Sequence, residues 1–357
     1  MSANDTTVIG NFADIVKFQL PDGSAISRVA ATLAEKDDFI RFVPTIPANA
    51  GLTHHELIHT SLPTGYLVDI GGSHKESKGE FAPITESLCT IRSSYSVPRD
   101  VMRNCSPEIG MSRLNAEKAG HMIAITQGMT NIMLNGPSTP NQSGIVGILQ
   151  RTPYLTYDYK FTWSAGGTGD DKRNALLVKP GIDTVFRLHN KFHPTMGVES
   201  EEMPMTKETG LGTSSDEHRW MLNYEFELQG GFCIYDQRAF KLICNIDAGP
   251  TDDPGEDLVR AIFDASSINK PKGGVLQRYN SSGQVVEETS SPWILFVDER
   301  TKTKLRNPIN NKVLVARSTQ NVYQREVDML GDIIIADMDA LGYETVGSGA
   351  TAIAAAS

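Results

Sequence analysis

The chain has 357 residues, with 33 basic and 43 acidic side chains and a formal net charge of −10. Hydrophobic residues make up 39%, below a typical globular domain, so part of the chain is expected to lack a core of its own. Apolar runs are only a few residues long, as in Ile333–Ala336, which excludes a membrane-spanning helix, and the acidic balance argues against a dedicated nucleic-acid reader.

Residues 1–21 read as an extended arm. The opening MSANDTTVIG has no basic region and no long apolar stretch, so no secretory signal is expected. Asp22-Gly23-Ser24 is a turn and helix start, after which Ile26, Val29, Ala30 and Leu33 recur at helical spacing. His54–Ile70 and Pro83–Val97 read as two extended stretches. Between them Gly71–Glu80 is glycine-rich and charged, the pattern of a long hairpin with a polar tip. A two-stranded hairpin alone is marginal in water, so something else must hold it.

Ser106-Pro107-Glu108 supplies an N-cap, a first-turn proline and early negative charge. Ser112–Asn135 then reads as a helix roughly 30–35 Å long. Its apolar face carries Ala119, Met122, Ile125, Met129, Ile132 and Met133, a packing stripe, and Gly136 stops it. Pro137–Gly147 is a loop. Ala175–Val178, Thr184–Leu188, Trp220–Leu228 and Phe232–Asn245 read as strands. Asp253-Pro254-Gly255-Glu256 is a capping box opening a helix with Leu258, Val259, Ile262 and Phe263. Trp293–Val297 and Asp332–Ala336 read as buried strands, and Gly347–Ser357 as a small-residue tail. Cys89, Cys105, Cys233 and Cys244 form no CxxC pair and read as free thiols in a reducing compartment.

His55-Glu56-Leu57-Ile58-His59 is an HExxH string. On a helix its histidines would share a face and bind one zinc, with Glu56 as general base. Pro63 leaves that helix little room, and Leu62 stands where an HxxGxxH extension needs its glycine. The candidate third ligands, Glu76 and Glu80, fall in the polar tip. On a strand, His55 and His59 lie about 13 Å apart and Glu56 points to the other face. The strand is the reading adopted, with solvated histidines and no metal. His189 and His193 are also four apart, but Pro194 breaks any helix there. Ala165–Asp170 is glycine-rich without the GK[ST] ending of a phosphate loop and reads as a turn. No catalytic, cofactor-binding or metal-binding residue is assigned, and no enzyme is expected.

Asn11 to Gly136 resembles the major capsid proteins of tailed bacteriophages, closest to the podovirus type with the Hong Kong 97 fold. The matches run in order: Ala31–Glu35, Asp38–Pro44, His55–His59 leading into Thr60–Tyr66, a polar tip near Ser77-Lys78, and the helix Asn115 to Gly136. Ala165–Gly169, Leu176–Val185 and Phe226–Ile246 continue the series. Tyr66-Leu67-Val68 replaces the family's usual tryptophan and arginine, and residues 267–292 look like an insertion.

The resemblance implies an α+β fold with an N-terminal arm (1–50), an extended hairpin loop (51–105), a spine-helix peripheral domain (106–250), an axial domain (251–345) and a tail (346–357). It implies a subunit that self-assembles as hexamers and pentamers into an icosahedral shell around double-stranded DNA, without sequence-specific contacts or a membrane. Scaffolding, portal and decoration proteins are the implied partners, and the virion, assembled in host cytoplasm, the implied location. Some relatives crosslink a lysine to an asparagine, for which Lys75 or Lys78 is available here. The competing readings are a zinc peptidase at His55, Glu56 and His59, and another phage structural protein such as a decoration or tail-tube subunit.

Overall fold

The computed structural model describes residues 38–68, 70–103, 107–137, 144–151, 160–167, 172–193, 198–209, 218–249, 255–279, 285–305, 315–318 and 327–341. The expected arm, the helix opened by Asp22, Cys105, Asp253-Pro254 and the tail lie outside them.

The fold is mixed α+β. In chain order it has α1 (Phe39–Phe42), β1 (Thr45–Pro47), β2 (Thr53–Ser61), β3 (Glu80–Ser87), β4 (Cys89–Pro98), α2 (Arg99–Arg103) and α3 (Pro107–Asn135). Next come β5 (Thr162–Ser164), β6 (Lys172–Val178), β7 (Val185–His189), β8 (Val198–Thr209), β9 (His218–Ile234) and β10 (Phe240–Asp247). The chain ends with α4 (Gly255–Ser267), β11 (Val275–Tyr279), β12 (Val285–Ser290), β13 (Ile294–Val297), α5 (Glu299–Leu305), β14 (Val315–Ser318), β15 (Val327–Leu330) and β16 (Ile333–Asp337). The described residues of 90–129 and 197–229 form one compact unit, and the remaining described residues a second.

In the first unit β9 pairs with β4 and β8. Its core gathers Val97, Leu114, Ile125, Tyr224 and Phe226. His121, on α3, stacks on Phe226 with ring centroids 4.9 Å apart and holds Ser93 Oγ at 2.6 Å. Strand β8 was not anticipated, because its acidic run VESEEMPMTKET buries little; its residues 200–207 are exposed on both faces.

The second unit is built on a seven-stranded sheet in the order β14-β15-β16-β13-β6-β10-β5. Its central strands are buried on both faces, as in Ala175–Val178, Ile294–Val297 and Ile333–Ala336, which is why they read as unbroken apolar runs. Helix α4 covers one face, with Leu258, Ile262 and Ala265 against Leu177, Ile243, Leu295 and Ile335. Alternation turns Phe296 to the other face, where Phe39 and Phe42 of α1 meet it edge-on at 5.3 and 6.4 Å. The sheet takes β5, β6 and β10 from before residue 250 and β13 to β16 from after it, so a boundary at 250 divides hydrogen-bonded neighbours.

A lysine also sits inside this core. Lys241 is fully buried, and its Nζ donates to Ala265 O at 2.5 Å and to Ile268 O, carbonyls at the C-terminal end of α4. Trp163 and Trp293 flank the ammonium at 5.1 and 5.2 Å. The cation meets the negative end of the helix dipole and two ring faces.

Three expected boundaries are corrected. Pro83–Val97 is not one stretch; it breaks at buried Leu88, whose N–H bonds Leu52 O at 2.9 Å. The interruption expected at residues 229–231 is absent, and β9 runs through to Ile234. Gly231 serves close approach rather than a turn, since a Cβ there would lie 3.0 Å from Ser87 O. The actual break follows, at residues 235–239, where Asp236 Oδ1 accepts from Arg238 N at 3.0 Å.

Candidate functional site

Strands β2 and β3 form a separate two-stranded antiparallel sheet, with Thr53 opposite Ser87 and Ser61 opposite Glu80. Chain entry is shaped by Gly51, whose φ of +82° places it in the left-handed region that favours glycine. Asn49 then clasps the strand from the side: its Oδ1 accepts from His55 N at 2.9 Å and its Nδ2 donates to His55 O at 2.6 Å. The ladder closes at Ser61 and Glu80, so the segment outside regular pairing runs from Leu62 to Gly79, longer than the expected tip. Pro63 lacks an N–H and cannot extend the ladder.

The HExxH string lies wholly on β2. His55 and His59 are exposed, and the half-buried Glu56 lies between them in alternation. His55 Nδ1 lies 3.0 Å from Thr85 Oγ1, and its Nε2 lies 3.2 Å from Thr53 Oγ1. His59 rests on Phe81 with centroids 4.0 Å apart. Glu76 and Glu80 are exposed on the loop and at the start of β3. This is the strand geometry in which one zinc cannot reach both histidines.

Sequence reasoning overlooked the neighbouring His54, which is buried. Its ring meets Phe186 edge-on at 5.7 Å, and its Nε2 lies 3.1 Å from Glu56 Oε1. Opposite His54 in the ladder stands Glu86, also buried. Both Glu86 oxygens accept from Arg151, at 2.7 and 2.8 Å, and the guanidinium lies 4.6 Å over the Phe232 ring. Next to Phe232, burial pushes the Cys233 thiol up to about 12, with Glu86 adding to the rise. Cys89 and Cys244 are likewise buried and pushed up to about 11, which makes them inert packing thiols.

Beyond this root the hairpin is exposed. Half of the exposed large apolar side chains among the described residues fall between Leu52 and Phe81, including Leu57, Leu62, Tyr66, Leu67 and Ile70. The apolar half of the loop, Leu62–Ile70, reads as strand from its sequence but lies beyond the ladder, which ends at Ser61. Lys75 and Lys78 are exposed on its polar half, and Ser77 Oγ ties the two halves by donating to Thr64 O at 2.8 Å. An apolar surface of this kind marks a site of association.

The remaining candidates are structural. His189 is held below the usual histidine range by burial, then by the charges of Arg187 and His193. Gly166 and Gly167 sit in a tight turn beside β10, with Gly167 N donating to Asn245 O at 2.9 Å. Among the described residues no three His, Cys, Asp or Glu side chains cluster for a metal, and no helix is long and apolar enough to cross a membrane.

An α+β body carrying a coreless arm rich in exposed apolar side chains is the build of a self-assembling subunit. The family described as Major capsid protein GP7 matches residues 21–345, and the chain belongs to that family of shell-forming major capsid proteins. A chain of the near-atomic bacteriophage Epsilon15 structure is similar in fold, with a TM-score of 0.61 at 14% identity over 94% of this chain and 97% of that one. A chain of the bacteriophage JBD30 capsid is similar with a TM-score of 0.47 at 11% identity over 87% of this chain and 93% of that one. No curated protein matches. The comparisons give no support to the zinc-peptidase, decoration or tail-tube readings.

Proposed function

We propose that the hairpin of β2 and β3, with its loop 62–79, is the arm by which each subunit lies on a neighbouring copy. The exposed apolar side chains between Leu57 and Phe81 carry this reading, because they stay largely exposed among the chain's described residues. In it α3 serves as the spine helix and the seven-stranded sheet as the body of the axial domain. Copies associate as hexamers and pentamers through heterologous contacts that close into an icosahedral shell. The shell encloses double-stranded DNA, and the net charge of −10 keeps the polymer from adhering to its wall. Scaffolding and portal proteins, and in some shells a decoration protein, complete the assembly in host cytoplasm, and the subunit itself carries no catalytic residue.

Negative-stain microscopy of the purified protein, alone and with its candidate scaffolding partner, tests the proposal. Closed isometric particles are expected. Rods or rings, or a monomer that persists at high concentration with scaffold present, would overturn it.

A further inference from the structure

The root of the arm contains a charged pair of a kind that folding does not require. Glu86 is buried, and Arg151 reaches it with a two-pronged contact at 2.7 and 2.8 Å. Taking two charges out of water costs about as much as their attraction returns, so packed apolar residues often stabilise as well. The Arg151 Nε is moreover buried without a hydrogen-bond partner among the described residues, a further cost. What the pair does supply is direction. Two parallel hydrogen bonds fix the guanidinium and carboxylate in one plane, whereas apolar contacts tolerate rotation.

The placement of the pair suits that role. Arg151 is held on the body by the Phe232 ring, and its Nη2 also contacts Val146 O at 3.4 Å. Glu86 lies one residue before the end of β3, where the arm leaves the body. The entering strand is held separately by the Asn49 clasp and by His54 against Phe186. The nine residues of β2 make a lever of about 30 Å, so a tilt of about 10° at the root moves its far end by about 5 Å. A neighbouring copy would be missed by that margin.

We infer that Glu86 and Arg151 form an orientation clamp, a positioning pair that sets the angle of the arm for the next subunit. The inference rests on the reading of the hairpin as an inter-subunit arm. The test uses the full-length subunit, unassembled, with spin labels at Glu76→Cys and Gln237→Cys and pulsed electron paramagnetic resonance to read their distance distribution. In the double variant Glu86→Leu/Arg151→Met, the unfolding midpoint is expected to stay within about 3 °C of the parent. The distribution should widen at least twofold, and the yield of closed particles should fall tenfold or more. Arg151→Lys keeps the charge but loses the fork and should give an intermediate width.

An unchanged width in the double variant would overturn the clamp. So would a midpoint lowered by more than about 10 °C, which would mark the pair as an ordinary stabilising contact. A parental width in Arg151→Lys would show that a point charge suffices and would overturn the two-pronged geometry. Removal of the loop, in an unlabelled chain, tests the arm by itself: if particles still close without it, the inter-subunit reading fails, while a widened distribution in the labelled double variant, which keeps its loop, would still report a clamp.

Discussion

Glu56 Oε1 lies 3.1 Å from Nε2 of buried His54, on the opposite face of β2 from His55 and His59. The acid that a zinc peptidase would use as its base thus lies beside a histidine outside the motif. The strand period of two separates residues that a helical period would have gathered.

From this geometry the purified protein is expected to hold no stoichiometric zinc. Elemental analysis checks it. About one zinc per chain, lost in His59→Ala, would contradict the strand assignment.

Lys241 makes stability depend on pH in a definite direction. Burial lowers its folded value from 10.5 to about 8. Between those values the unfolded chain binds more protons than the folded one, so this group makes stability rise with pH from about 8 to 10.5 and exacts its full cost below 8. The span corresponds to ~3 kcal/mol. Lys241→Met should flatten that slope in denaturant titrations across the window. An identical slope in both proteins would show that the ammonium is not buried as described.

Gly167→Ala should destabilise the seven-stranded sheet by roughly 1–3 kcal/mol, since extra atoms in a tight site force the backbone to move. A Cβ at this position would lie 2.4 Å from the backbone oxygen of Asn245, which has no side-chain freedom to yield. Thermal unfolding measures the loss. A midpoint equal to the parent's would mean that the turn is open.

The legible parts of the fold were those whose signals are local. Pro107 and Gly136 bracket α3, and the runs Ile294–Val297 and Ile333–Ala336 are apolar because both faces of those strands are covered. The strand state of HExxH followed from Pro63, which leaves a helix little room, and from candidate third ligands that fall only in the polar tip. What stayed hidden depends on tertiary partners. Gly231 looks like a turn residue, yet it is a strand residue made small by the approach of Ser87. Glu86 and Arg151 stand 65 positions apart, and no spacing rule connects them. Lys241 was visible only as a charge within the run Phe240–Cys244; its partners, Ala265 O and Ile268 O, come from a different helix end.

The most direct measurement concerns the loop Leu62–Gly79. Ser61 and Glu80 already face each other in the ladder, so a two-residue turn can join them without disturbing β2 or β3. The body needs nothing from the loop for its own burial. Circular dichroism and the unfolding midpoint of the shortened chain should therefore match the parent. Closed particles should be lost, because a modest contact removed from every subunit is multiplied across the whole shell. Normal closed particles from the shortened chain would contradict the account at its centre.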